Sequence, residues 1–276
     1  MRVAVGQMCS AKTHGPNIDV AEGFARAAAK DGAELLALPE VAGLMNRNPL
    51  EASELVRVAD ADPFLAACCA LARDNRIWIQ PGSVAVHGPA GKFLNHAVLI
   101  APDGEIKARY DKAHLFDVAL EGQKPIGESK RFDAGAEGIV VKTPLATLGL
   151  TICYDLRFPG VYRQSAQLGA EIIFVPSAFT VSTGRAHWEV LLRARAIETG
   201  SFIIAAAQSG HHEDGRETWG HSLVIGPWGE VVLDMGTSAP ALEIVDLDLD
   251  RVRQARAQIP SLTLERNLSF RVIDAR

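Results

Sequence analysis

Cysteine is scarce in this chain. Four occur in 276 residues, at Cys9, Cys68, Cys69 and Cys153, and their number and spacing exclude a disulfide framework or a zinc knuckle. Cys68 and Cys69 stand together in "FLAACCALARD", a helical pattern in which both read as core packing. Long apolar runs are missing as well, since none reaches the roughly 18 residues of a membrane span. Basic charge is not in excess: 28 Lys and Arg stand against 33 Asp and Glu, for a net charge of −5 and a pI near 5.9. Without a dense Lys/Arg cluster, a nucleic-acid or anionic-membrane surface is excluded. The opening residues, Arg2 to Met8, read directly as a strand and lack the charged-then-apolar plan of a secretory leader, so the expected location is the cytoplasm. What is present, 48% hydrophobic and 22% charged residues, is the composition of a soluble globular protein with one large core or two modest ones.

An internal repeat organises the chain. "GAELLALPE" (32–40) returns as "GAEIIFVPS" (169–177), and "NHAVLIAPDGEI" (95–106) returns as "GHSLVIGPWGEV" (220–231). Two related halves follow, about 1–110 and 146–235, with a C-terminal extension. Each half opens with a strand (Val3 to Gln7; Leu148 to Ile152), then a helix, a strand ending at proline (Pro39; Pro176), a second helix and a third strand. Each closes on a hairpin, at Pro102-Asp103-Gly104 and Pro227-Trp228-Gly229, where proline presets one dihedral and glycine supplies a positive φ. Strand–helix alternation gives crossover units and the hairpins add antiparallel edges, so each half builds a mixed sheet. Apolar strands such as Ile172 to Val175 and Phe202 to Ala207 need both faces covered. Two sheets packed face to face with helices outside satisfy this, and the expected fold is an α/β, four-layer α-β-β-α sandwich with a pseudo-twofold axis. No linker or low-complexity stretch divides it, so residues 1–276 read as a single domain.

The halves differ in their chemistry. In "TICYDLRFP" (151–159), Cys153 follows a buried strand, and Pro159 fits the first turn of a helix. A cysteine is often a core filler, but a strand-to-helix turn is also where backbone N–H groups lower a thiol pKa and hold an oxyanion. Where the second half has Ser177, the first has Glu40. This is either a solvated loop carboxylate or a buried base whose pKa desolvation raises, fit to take a thiol proton and return it to a leaving amine. Lys112, in "ARYDKAHLFD" (108–117), sits among apolar neighbours, and Glu128 lies in the loop-like "GQKPIGESKRFDAG" (122–135). Alone, Lys112 reads as a surface lysine, and Glu128 is again a weak signal.

Taken together, "LPE", "YDKAHLFD" and "CYDLRFP" resemble the nitrilase superfamily of carbon–nitrogen hydrolases. The likeness extends through "PSAFT" (176–180), "TGRAHWEVLLRARAIET" (183–199), "AAAQSGHH" (205–212) and "GHSLVIGPWGE" (220–230), and these blocks resemble the Nit subfamily. The resemblance implies a cysteine-dependent amidase that hydrolyses a small amide to an acid and ammonia through a thioester. Within it Cys153 is the nucleophile, Glu40 the base, Lys112 and the backbone N–H of Tyr154 the oxyanion donors, and Glu128 a fourth catalytic residue that holds Lys112 or orients substrate. It also implies a homodimer or larger homo-oligomer, and neither a metal nor an organic cofactor. The expected substrate is deaminated glutathione. The alternatives are an omega-amidase acting on 2-oxoglutaramate, an N-carbamoyl amide hydrolase, or a catalytically silent scaffold protein. Expected substrate contacts are Ser177 and Phe179, with Arg157 and Arg185 as carboxylate forks, although Arg185 stands where the family more commonly has proline.

Three further features have plain explanations. His211-His212-Glu213-Asp214 looks like a metal cluster but reads as a solvated loop, because consecutive loop residues rarely converge on one ion. "GHSLV" (220–224) lacks the last glycine of a hydrolase elbow. In "HWEVLLRARAIE" (187–198), Val190, Leu191, Ala194 and Ile197 read as the core face, and Arg193 and Arg195 as structural ion pairs or carboxylate binders.

Overall fold

The computed structural model describes residues 1–119 and 125–276. Two large mixed sheets dominate it, and their connectivity repeats. In the first, Arg2–Gln7, Leu35–Ala37 and Trp78–Gln80 run parallel, and Phe93–Ile100 follows antiparallel and pairs with Ile106–Asp111 as a hairpin. In the second, Thr147–Leu150, Ile172–Phe174 and Phe202–Ala205 run parallel, and Leu223–Ile225 follows antiparallel with Val231–Asp234 as its hairpin partner. The repeat seen in the sequence is therefore a repeat of topology. Each sheet gains an antiparallel strand at its opening edge, Ala241–Asp246 beside Arg2–Gln7 and Ile139–Lys142 beside Thr147–Leu150. Val84–His87 adds a strand to the first sheet, giving seven strands there and six in the second.

Side-chain alternation explains the layering, because successive strand residues point to opposite faces. Val3, Val5, Leu35, Ala37, Ala97 and Leu99 face Leu148, Leu150, Ile172 and Phe174 in one core between the sheets. Ala4, Leu36, Val98 and Ile100 turn outward onto helices His14–Lys30 and Pro63–Asn75, where they meet Ala21, Ala25, Phe64 and Cys68. Helices Pro159–Gln167 and Val181–Thr199 cover the second sheet. The result is the four-layer α-β-β-α sandwich. Among the described residues no helix is long and apolar enough to cross a membrane.

Several local expectations need correction. The proline-terminated strands stop at Ala37 and Phe174, short of Pro39 and Pro176, and the strand before Cys153 ends at Leu150, so the chain leaves the ladder before it reaches each chemical residue. Helix Val181–Thr199 buries Trp188, Leu192, Arg195, Ala196 and Thr199, while Val190 and Ile197 are exposed. Arg195 is tolerated inside because its guanidinium donates to Leu156 O and Glu198 and lies over the Tyr162 ring. Residues 122–124 of the expected loop 122–135 lie outside the described residues, and the remainder holds a short strand, Ile126–Gly127, and a 3-10 turn, Glu128–Lys130.

Candidate active site

Two strained turns deliver the central side chains. Cys153 opens a short 3-10 turn with φ of 47°, and Val41, the residue after Glu40, has φ of 51°. A positive φ is uncommon for any residue with a side chain, and for a β-branched one it is an outlier that the surroundings must enforce. At Glu40 the clamp is the loop Gly82-Ser83. Ser83 N–H donates to Pro39 O, Ser83 Oγ accepts from Val41 N–H, and Ala42 N–H donates to Ser83 O. Gly82 lies so close that a Cβ there would stand 1.7 Å from Pro39 O. At Cys153 the clamp is Asp155, fully buried, whose carboxylate accepts from Ile152 N–H, Tyr110 OH and His114 N–H. Tyr110 and His114 flank Lys112, so a single carboxylate ties the Cys153 turn to the segment that carries the lysine.

The structure brings Glu40, Lys112, Glu128 and Cys153 to one point. Lys112 Nζ donates to Glu40 Oε1 at 2.9 Å and to Glu128 Oε1 and Oε2 at 3.1 and 3.0 Å. Glu40 Oε1 also accepts from Asn95 Nδ2 at 2.9 Å, and Oε2 accepts from Ala178 N–H at 2.9 Å. The Glu40 carboxylate contacts the Cys153 thiol. Glu128 accepts a further bond from Phe116 N–H at 2.6 Å, which fixes the loop beyond Lys112. Glu40, Lys112 and Cys153 are 5%, 2% and 8% exposed, so their charges are governed by one another more than by water.

Electrostatics sets the resting protonation state. Burial pushes the Glu40 carboxyl up, but Lys112, the Cys153 thiol and Asn95 together hold it below its ordinary value. This corrects the expectation that desolvation would raise it: burial is the largest single influence, but the ammonium 2.9 Å away, the thiol and the Asn95 amide together outweigh it. Burial disfavours the charge on Lys112, yet Glu40, Glu128 and Cys153 keep its pKa well above the ordinary one. Burial, and after it the charge of Glu40, push the Cys153 thiol well above its ordinary value. The free site therefore holds a neutral thiol beside a carboxylate and an ammonium.

These groups form the floor of a cavity of about 330 Å³. Tyr154 and Phe179 line it, whereas Ser177 does not: its hydroxyl is turned away and donates to Val175 O. Arg157 and Arg185 also lie outside the wall. Arg157 is held over the Tyr154 and Phe179 rings beside His187, and Arg185 over the Trp219 ring. The arginines that line the cavity are Arg47, Arg131 and Arg216. Sequence reasoning singled out none of these, nor Asn95, although Arg131 lies in the quoted stretch 122–135 and Asn95 opens the repeat block 95–106.

The His211-His212-Glu213-Asp214 segment is a hairpin in which alternate residues diverge. His212 is buried against Thr218 Oγ1 and Ser10 O, and Asp214 pairs with Arg216, so the expectation of a wholly solvated loop fails for both. Among the described residues no group of three or more His, Cys, Asp or Glu side chains is placed to hold a metal ion.

Known proteins resemble this chain in sequence and fold. The carbon–nitrogen hydrolase family model matches residues 2–257. Deaminated glutathione amidase of Synechocystis sp. is 40% identical over 261 residues, 93% of this chain and 94% of that protein. The crystal structure of the Caenorhabditis elegans NitFhit protein superposes with a TM-score of 0.88 at 36% identity, over 96% of this chain and 65% of that one. A mutant of the amidase from Nesterenkonia sp. AN1, in which acrylamide has added to the active site cysteine, has a TM-score of 0.76 at 29% identity, over 96% of this chain and 100% of that one. With a family match spanning nearly the whole sequence and the repeat, the layers and the buried Cys-Glu-Lys cluster already in view, the chain belongs to the carbon–nitrogen hydrolase family.

Proposed function

We propose that the protein is a single-domain, cysteine-dependent amidase that cleaves deaminated glutathione, with Cys153, Glu40, Lys112 and Glu128 as its catalytic groups. The observation that carries this reading is the convergence of a neutral thiol, a carboxylate and an ammonium at the closed end of a cavity. Glu40 takes the thiol proton as sulfur bonds to the amide carbon and the carbonyl electron pair moves to oxygen. Lys112 and the Tyr154 N–H support that oxyanion. In the resting site the ammonium already donates to Glu40 and to both Glu128 oxygens, so a substrate oxygen gains a charged donor by taking over one Glu128 contact. The C–N bond then breaks as Glu40 gives its proton to nitrogen. A thioester on Cys153 remains. Glu40 next deprotonates water, whose attack breaks the C–S bond, and the sulfur recovers its proton from Glu40.

Deaminated glutathione, the substrate in the name of the Synechocystis relative, supports the choice of amide. Its leaving group is the Cys-Gly amine, so for this substrate ammonia is replaced by a dipeptide; ammonia is the product only with a primary amide such as 2-oxoglutaramate. The reading includes a homodimer or larger assembly in the cytoplasm. Ile197, Trp228 and Ile259, exposed and lining one groove, support self-association, since a contiguous exposed apolar patch marks an interaction surface. The test is kcat/KM for deaminated glutathione beside 2-oxoglutaramate on one preparation. A preference for the first is expected. A preference for the small amide moves the assignment to an omega-amidase, and turnover of an N-carbamoyl compound alone rejects both.

A further inference from the structure

The floor and the wall of the cavity carry opposite charge. At the floor, Glu40 and Glu128 face a single ammonium, Lys112. On the wall stand Arg47, Arg131 and Arg216, brought from three separate segments: the loop before helix Pro49–Leu55, the end of the Glu128–Lys130 turn, and the hairpin of Ser209–His211 with Glu217–Trp219. Arg216 is paired with Asp214. Neither Arg47 nor Arg131 has a carboxylate within 4.0 Å among the described residues. Among the described residues, Arg131 is held in place without a carboxylate partner. Its backbone accepts from Phe93 N–H and donates to Glu128 O, its Nη1 donates to Arg47 O at 3.1 Å, and its guanidinium lies 5.8 Å from the Phe93 ring centroid. Burial, and after it the charge of Arg216, act against its protonation.

We propose that Arg131, assisted by Arg47 and Arg216, forms an anion subsite that binds a carboxylate of the substrate remote from the scissile amide. This rests on the amidase reading and adds to it which residues select the substrate class. Arginine suits the task because its planar fork meets both carboxylate oxygens. The charge gradient also fixes orientation. A carboxylate is repelled from the floor by Glu40 and Glu128 and drawn to the wall, which leaves the neutral amide to approach Cys153. The substrate class is thus an amide with a carboxylate displaced along the chain, as in the amide of an oxo-dicarboxylic acid. Arg157 and Arg185, engaged with aromatic rings outside the wall, take no part.

The test pairs glutaramate with pentanamide, which replaces the carboxylate by a methyl group, and adds deaminated glutathione. These are measured on the wild-type protein and on Arg131→Gln, Arg157→Gln and Arg185→Gln. In Arg131→Gln the ratio of kcat/KM for glutaramate over pentanamide falls by roughly 30-fold, mainly through KM, as expected for loss of a charge-assisted pair. A second measurement does not require turnover. Calorimetric binding of 2-oxoglutarate to Cys153→Ala weakens by a similar factor when Arg131→Gln is added, and the affinity before that change falls with rising salt. If ratio and affinity both stay within twofold of the parent, or if Arg157→Gln or Arg185→Gln lowers the ratio instead, the subsite is not here. If deaminated glutathione is inert while the glutaramate ratio behaves as stated, the subsite stands and the substrate reading falls. Turnover of deaminated glutathione with a ratio unchanged in Arg131→Gln does the opposite: the substrate reading stands and the subsite falls.

Discussion

Lys112→Met converts the buried ion cluster into two carboxylates with no cation between them. The side chain it replaces is 2% exposed and donates three bonds of 2.9–3.1 Å to carboxylates whose side chains are 7% and 13% exposed. Removing one partner of a buried pair costs about 3–5 kcal/mol, because the other charge stays desolvated. For a chain of this size that lowers Tm by roughly 10 °C. The cost depends on pH, with a sign set by Glu40. In the wild-type protein Lys112 holds the Glu40 carboxyl below its ordinary 4.5, so its contribution is present above that pH and is lost as pH falls through the lower, folded value. Without Lys112, burial prevails and the folded value rises above 4.5. The variant's contribution is then complete at low pH and is lost as pH rises. The Tm gap between variant and wild type therefore widens from pH 5 to pH 8. Adding Glu128→Gln removes one of the two stranded charges and recovers part of the loss, while turnover stays lower by roughly 100-fold or more because the oxyanion lacks its ammonium. Thermal melts of the three proteins at both pH values decide the matter. A gap that is constant or shrinks toward pH 8, or a double variant no more stable than the single, refutes the assignment of Lys112 as the buried counter-charge.

Cys153→Ala abolishes turnover and keeps the wild-type circular dichroism spectrum, and Cys153→Ser is also inactive because a single carboxylate is a poor base for a hydroxyl; ammonia release from 2-oxoglutaramate by either variant would return Cys153 to a packing role. Glu40→Gln lowers kcat by roughly 100-fold or more, yet moves the thiol's titration downward, since the Glu40 charge helps to hold it high; the pH profile of Cys153 alkylation, followed by intact mass, reads that shift, and an upward move contradicts it. Gly82→Ala forces a Cβ against Pro39 O and shifts the Glu40 turn, so stability drops by about 2 kcal/mol or more and kcat falls with it; a denaturant midpoint within error of wild type would show that the turn yields freely.

What the sequence revealed and what it hid have different physical origins. The sheets were legible because strand periodicity and turn chemistry are local, and because the repeat states each half twice: "GAELLALPE" and "GAEIIFVPS" occupy equivalent parallel strands. Glu40 and Cys153 stood out because each breaks an apolar pattern where its strand ends. The protonation state of Glu40 was not legible, since it depends on a lysine 72 positions away in the chain. The wall arginines were hidden for the same reason. Arg47, Arg131 and Arg216 meet through loops with no periodic signature, whereas Arg157 and Arg185 were conspicuous for standing inside motifs and are spent on aromatic rings. The buried face of helix Val181–Thr199 was not legible either, because hydrophobicity alone says nothing of partners: Arg195 is satisfied inside, and Val190 and Ile197 are left outside.

Among the described residues, the first strand is completed by the last. Arg2–Gln7 pairs along its whole length with Ala241–Asp246, and at one end of that pairing the Met1 and Leu247 backbones exchange two further bonds. During synthesis, then, strand Arg2–Gln7 waits until Ala241–Asp246 has been made before its outer row of N–H and C=O groups finds a permanent neighbour. Until that moment an apolar ribbon holding Val3, Ala4 and Val5 offers an open edge to any other nascent copy. A product cut between Cys153 and Ala241 would keep all four proposed catalytic side chains and a sheet that invites aggregation, so for this enzyme a truncation far beyond Cys153 is a solubility lesion before it is a catalytic one.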